Sequence, residues 1–184
     1  MDNPTRSERS RQTAIQAAFT ILSRDGPGAL TFDTLSRESG ISKGGLLHHF
    51  GSKHGILKAL LAHQIEHFEQ FSEAWLAKAD QKMTERTLMA QIAVAREALN
   101  QPHSVALAII AAMVEDPELL ASTRKTDLKR IAAVKEEAAD TDIALLRWAA
   151  ARGLIFTELL GLSPLSKKER DRLFECLLDQ KRWA

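Results

Sequence analysis

The chain has 184 residues, a net charge of +1, and 45% hydrophobic against 27% charged residues. That is the profile of a folded globular protein, and it excludes a disordered tail or a strongly basic coat protein. No apolar run approaches the roughly 20 residues that span a bilayer, and the opening MDNPTRSERSRQ lacks the apolar centre of an export signal.

The expected fold class is all-α, with about nine helices, because period-2 alternation and β-branched runs are missing. In the first helix Ile15, Ala18, Phe19 and Leu22 form an apolar stripe, and Asp25-Gly26-Pro27-Gly28 ends it. Thr31 suits an N-cap for a short helix from Phe32 to about Ser39, with Gly40 in the position of a C-terminal glycine. Ser42 caps a third helix of barely two turns, reaching about Phe50. Gly51-Ser52 breaks it, and Ser52 caps a long fourth helix striped by Leu57, Leu60, Leu61, Gln64, Phe68, Phe71 and Trp75. Thr84, the break Asn100-Gln101-Pro102, the cap Asp116-Pro117, Asp140 and the capping box Ser166–Glu169 mark the later helices.

Two short helices joined by Gly40-Ile41-Ser42 form a helix-turn-helix candidate propped by the first helix. The inward set is Ile15, Phe19, Leu22, Leu30, Phe32, Leu35, Ile41, Leu46 and Phe50. Glycine inside a helix is unfavourable by about 0.5–1 kcal/mol relative to alanine, yet Gly44 and Gly45 are adjacent. In the first turn that penalty is smallest, and bare backbone can approach DNA closely. Ser42 and Lys43 flank a helix N-terminus whose N–H groups suit phosphate. His48 or His49 should face outward on the next turn, and Lys53 adds a charge for a backbone phosphate. An arm with Arg6, Arg9 and Arg11 supplies more, although residues 1–55 hold only seven Lys or Arg against five acids.

Residues 26–57, GPGALTFDTLSRESGISKGGLLHHFGSKHGIL, resemble the DNA-binding domain of the TetR family of transcriptional regulators. Thr31, Leu35-Ser36, Gly40-Ile41-Ser42-Lys43-Gly44, Leu46, His49, Phe50, Ser52, Lys53 and Leu57 carry the resemblance, which covers roughly residues 8–60. It implies a homodimeric helical regulator, usually a repressor, whose C-terminal part binds a small molecule and dimerises. It implies DNA-contacting residues Thr31, Ser42, Lys43, Gly44, Gly45, His48, His49 and Lys53, on a palindromic operator. The expected domains are 1–51 for DNA binding and 52–184 for ligand binding and dimerisation, in a cytoplasmic protein with no cofactor and no membrane partner. Leu47 departs from the family's tyrosine at that position, removing a hydroxyl for phosphate, and Ser36 replaces the commoner alanine.

Residues 142–161 are apolar nearly all round, and Leu173, Phe174, Leu177 and Leu178 stripe the last helix. These two helices either finish the monomer core or, as the resemblance favours, pair with their symmetry mates, with Leu146, Ala150, Leu154, Leu173 and Leu177 as the expected dimer interface. An effector pocket is expected among Phe71, Trp75, Leu88, Ile92, Ile110, Met113 and Val114, with Arg96, His67 and His103 as possible polar anchors. Ordinary core is the competing reading of each apolar residue. His63 and His67 stand one turn apart but lack a third metal ligand and the HExxH order, so a solvated helix face is expected. Cys176 reads as a thiol on an apolar face without basic activation nearby. With no phosphate loop, nucleophile elbow or isolated acid pair, an enzyme has little support. An effector-free activator or architectural DNA binder, or an intracellular helical ligand carrier, stay open as rivals.

Overall fold

The computed structural model describes residues 6–80, 82–100, 102–115 and 117–183, except the side chains of His103, Ser104, Ala112, Met113, Glu115 and Ser122. Among them the regular elements are α1 (Arg6–Asp25), α2 (Phe32–Ser39), α3 (Lys43–Phe50), α4 (Lys53–Lys78), α5 (Arg86–Ala98), α6 (His103–Glu115), α7 (Pro117–Glu137), α8 (Thr141–Leu159) and α9 (Lys167–Leu178). Two 3-10 turns, Pro27–Ala29 and Gln180–Arg182, complete the set. The all-α expectation holds. The cap expected at Asp116 and the break residue Gln101 lie outside the described residues.

The chain divides into two compact units, one of residues 1–65 and 102–119, the other of 66–101 and 120–184. In the first, Ala14, Ile15, Ala18, Ile21 and Leu22 of α1 are buried with Leu30, Leu35, Leu46 and Phe50. Ile56, Ala59, Leu60 and Leu61 of α4 and Val105, Ala108 and Ile109 of α6 finish this core. The short α2 and α3 have too little surface to bury a core alone, so α1, α4 and α6 supply most of it. His63 is half-buried in this unit, its Nε2 3.3 Å from Gln16 Nε2 and its ring 5.3 Å from that of Phe19. The expected solvated face is thus covered at His63.

The second unit packs α5, α8 and α9 around Leu88, Ile92, Ala95, Ala144, Ala151, Phe174 and Leu177, with Val134 from α7. One charged residue enters this core. Arg147, only 1% exposed, donates from Nη1 to Glu85 Oε2 at 2.6 Å and from Nη2 to the Leu177 carbonyl at 2.8 Å. That carbonyl belongs to the last turn of α9, where no intrahelical donor exists, so Arg147 caps a helix from inside the core. The Trp183 ring lies 5.5 Å from the guanidinium carbon.

Thr84 does not cap α5, contrary to expectation. Glu85 takes the cap position with φ of 49°, a left-handed conformation, and makes no side-chain cap bond. Its carboxylate is committed to Arg147 instead. The free N–H groups of α5 are served from α7: Glu137 Oε2 accepts from Thr87 N at 2.7 Å. The carbonyl and hydroxyl of Thr84 accept from Gln180 Nε2. Asp140 caps α8 by accepting from Asp142 N and Ile143 N, and the Ser166–Glu169 capping box is present. In the same unit His67 is half-buried, and its Nε2 is shielded from solvent without a hydrogen-bond partner among the described residues.

Candidate nucleic-acid interface

The α2–α3 pair is built by short-range side-chain bonds. Thr31 Oγ1 accepts from Thr34 N at 3.1 Å while Thr34 Oγ1 accepts from Thr31 N at 3.0 Å, a reciprocal box that starts α2. Gly40 ends α2 with φ of 69°, a conformation that glycine adopts without strain. Ser36 Oγ then donates to the Ile41 carbonyl at 2.7 Å, pinning the turn from within α2. Ser42 Oγ accepts from Gly45 N at 3.2 Å and starts α3.

The two sides of α3 differ sharply. Leu46 and Phe50 are buried in the core, whereas Lys43, Gly44, Leu47 and His48 are exposed together on the opposite side. A Cβ added at Gly44 would meet nothing within 4 Å, but at Gly45 it would lie 3.1 Å from Ile41 Cγ2. Gly44 therefore leaves backbone open to a partner, while Gly45 is small because the turn presses on it. His49 is half-buried and turned toward α1, with Nε2 3.1 Å from Ser10 Oγ. The outward histidine is His48.

Charges around this face are partly engaged. Lys43 Nζ donates to both carboxylate oxygens of Asp33 on α2, at 2.9 and 3.1 Å, with both groups well exposed. Lys53, at the start of α4, donates weakly to the Pro27 carbonyl at 3.4 Å. Arg24 is held charged more firmly than usual, first by its hydrogen bonds to Asp25 and then by those to Glu38. Arg11 sits 5.7 Å from the centre of the Phe50 ring. Thr31 spends its hydroxyl on capping but remains exposed.

The expected effector set is not brought together. Phe71 and Trp75 line a cleft of about 360 Å3 with Arg96, Glu97, Leu99, Arg170 and Leu178. Ile92 and Leu88 are instead fully buried among packed neighbours. Ile110 is half-buried on α6, and the Met113 side chain lies outside the described residues. Val114, at 69% exposure, faces solvent. Among the expected dimer residues Leu146 is 68% exposed, Ala150 is exposed, and Leu154 and Leu173 are half-buried. Leu177 is core, because its stripe on α9 faces α5 and α8. Cys176 is half-buried and does have a basic neighbour: Arg182 Nη1 donates to its sulfur at 2.9 Å.

Two family models match. Residues 14–60 match bacterial regulatory proteins of the tetR family, and residues 85–182 match the tetracyclin repressor-like C-terminal domain. The chain belongs to the TetR family. It is a DNA-binding transcriptional regulator with a helix-turn-helix, not an enzyme. Over 44 residues it is 41% identical to the HTH-type transcriptional regulator BetI of Vibrio atlanticus (strain LGP32). That stretch is 24% of this chain and spans only 22% of the relative's length.

Three solved structures share the fold at low identity. A TetR family regulator from Pseudomonas syringae pv. tomato str. DC3000 has a TM-score of 0.60 at 17% identity, over 96% of each chain. A transcriptional regulator from Rhodococcus sp. Rha1 gives 0.64 at 19%, over 93% of this chain and 95% of that one. The multidrug binding protein EbrR, solved with ethidium, gives 0.61 at 18%, over 91% and 97%. No helix among the described residues of this TetR-family chain is long and apolar enough to cross a membrane.

Three features of the helix-turn-helix escaped the sequence reading. Ser36 looked like a mild replacement, yet its hydroxyl ties the turn. Asp33 was unremarked because its partner Lys43 lies on the next helix. Gly55 was one glycine among several, but a Cβ there would fall 1.8 Å from the Phe50 carbonyl oxygen. The backbone leaving α3 crosses the first turn of α4 where only glycine fits.

Proposed function

We propose that this TetR-family regulator is a homodimeric cytoplasmic repressor that a small-molecule effector releases from a palindromic operator. The observation that carries the reading is the split of α3, with Leu46 and Phe50 buried while Lys43, Gly44, Leu47 and His48 face solvent. Such a helix can enter a major groove with its backbone close to phosphates and His48 within reach of a base edge. Ser42, Lys53 and Thr31 flank it as contacts for the DNA backbone, with Gly45 keeping the turn tight and His49 holding α3 to α1. Leu47 replaces a hydroxyl with an apolar surface, which suits a sugar or a thymine methyl better than a phosphate.

A two-fold operator needs a two-fold protein. Support comes from α8 and its C-terminal cap, where Leu146, Ala150, Phe156 and Leu160 leave apolar surface exposed. A second copy covering α8, with Leu154 and Leu173 at the margin, would remove it from water. Effector control is supported by the ethidium complex of EbrR, which shares the fold, and by the cleft at Phe71 and Trp75. Those two residues lie on the same unbroken helix, α4, that begins at Lys53. An effector that favours one position of α4 would change how two copies of α3 are spaced.

The test is fluorescence anisotropy with duplex from upstream of the chain's own gene. Wild-type protein should bind in a salt-sensitive manner. Gly44→Glu, which has room for its side chain, should abolish binding without changing thermal melting. Leu146→Glu should give a monomer in sedimentation and weaken binding sharply. Unchanged DNA affinity in Gly44→Glu would defeat the reading of α3. A reporter that falls rather than rises when the gene is deleted would make the protein an activator. A broad compound screen with no release of DNA at constant salt would leave an effector-free regulator.

A further inference from the structure

We propose that the cleft lined by α4, α5 and α9 binds a small, flat organic carboxylate, with its ring on Phe71 and Trp75 and its carboxylate on Arg96 and Arg170. This names the effector class for the regulator proposed above and rests on that reading only for its regulatory consequence. The volume of about 360 Å3 lies at the small end of the roughly 300–1,000 Å3 usual for organic ligands. Phe71 and Trp75 are one turn apart on α4, so their half-buried rings share a side of the cleft, and half-buried Leu99 and Leu178 extend that apolar wall.

The polar wall selects the sign of the ligand. Its cations are Arg96, Lys167 and Arg170, and its acids are Glu97 and Asp171. Both acids have partners within the wall: Lys167 Nζ donates to Asp171 at 2.7 Å, and Asn100 Nδ2 donates to Glu97 at 2.8 Å. Three cations and two acids line the wall, with Glu158 and Glu175 paired to Arg170 and Arg96 just outside it, and the Asp171 carboxyl sits among those cations. Its proton affinity is held down first by the Lys167 hydrogen bond, with the charges of Lys167, Arg96 and Arg170 adding to the effect.

The two arginines can receive an anion. Arg170 is largely buried and held in place by Glu158 at 2.8 Å, which fixes the aim of its planar fork. Arg96 Nη1 donates to Glu175 at 2.6 Å, and Glu175 is mostly exposed and not part of the lining. An exposed ion pair contributes little net energy. Arg96 can therefore exchange Glu175 for a ligand carboxylate, or serve both, since a guanidinium has donors beyond the one in use. Glu175 is then a competitor for the site, which gives the proposal a distinctive signature.

The experiment is isothermal titration of the full chain with benzoate and 1-naphthoate, alongside the neutral 1-naphthamide. 1-Naphthoate should bind saturably, and the amide should bind about tenfold more weakly or less, the loss expected for a charge-assisted hydrogen bond. Arg96→Gln should weaken 1-naphthoate by a similar factor, Trp75→Leu should weaken both naphthyl probes, and Glu175→Gln should tighten 1-naphthoate only. Equal affinity for acid and amide, indifference to Arg96→Gln, or no saturable binding of either carboxylate to chain that still binds DNA would overturn the site. DNA release is read separately. If 1-naphthoate binds as described but never releases DNA, the site stands and effector release falls. If another compound releases DNA while the carboxylates do not bind, the site falls and the regulator stands.

Discussion

The first unit starts its short helices with local caps, whereas the second adds distant ones to the local caps at Asp140 and Ser166. In the DNA-binding unit the starts of α2, α3 and α4 are capped by Thr31, Ser42 and Ser52, each serving a backbone N–H three residues ahead. In the other unit the start of α5 is served by Glu137, 50 residues away, and the end of α9 by Arg147, 30 residues away. Local caps contribute before any tertiary contact exists. Distant ones act only after packing, so they lock a finished arrangement rather than start one. The first unit is therefore assembled from parts that can each be damaged modestly, whereas the second depends, beyond its local caps, on a few shared groups.

Breaking Arg147 should give the largest effect. Arg147→Ala leaves the buried Leu177 carbonyl and the partly buried Glu85 carboxylate without this donor, a loss of up to about 3–5 kcal/mol, the range for broken buried pairs. All three tryptophans, Trp75, Trp148 and Trp183, lie in the second unit. Their fluorescence in a urea titration should shift strongly, while hydrogen exchange of α1 and α3 stays close to wild type. Equal losses in both units would erase the contrast.

Next is Gly55→Ala. The added methyl group meets backbone rather than a movable side chain, so α4 must shift away from Phe50. Overpacking of this kind is unfavourable by about 1–3 kcal/mol, and DNA affinity should fall more than melting temperature does. Ser42→Ala tests the local caps and should lower stability by about 1 kcal/mol, seen as a small shift in the unfolding midpoint. Asp33→Asn should be smallest for stability, within about 0.5 kcal/mol as expected of an exposed pair. It should nonetheless raise affinity for duplex of any sequence and steepen its dependence on log salt by up to about 0.9, one more phosphate's share. An unchanged salt slope would mean that Asp33 does not restrain Lys43.

The same contrast explains what the sequence could tell. Caps such as Thr31, Ser42 and the Ser166–Glu169 box are readable because cap and recipient are three residues apart. The buried side of α3 is readable from Leu46 and Phe50 for the same reason. Arg147 is not, since nothing in a run of apolar residues says that its one guanidinium points inward to Glu85. Leu177 is an expected interface residue that the fold buries, because a stripe on α9 shows which residues share a side, but not which neighbour covers it. Ile92 packs in the core of its unit, and a helical stripe does not distinguish a core residue from one lining a cleft. Phe71, Trp75 and Arg96 were legible as candidates, whereas Lys167 and Arg170 needed the folded chain to bring α9 beside them.

The apolar underside of the DNA-binding unit is finished by Val105, Ala108 and Ile109, residues that arrive from beyond α5. A chimera made by cutting the gene once, after residue 51 or 65, would carry the exposed face of α3 but strand it on a bare oily back. Replacing the second unit of this protein calls instead for three cuts, exchanging 66–101 and 120–184 as a matched pair. Recombination in nature faces the same rule, so the two units of this chain are expected to be inherited together.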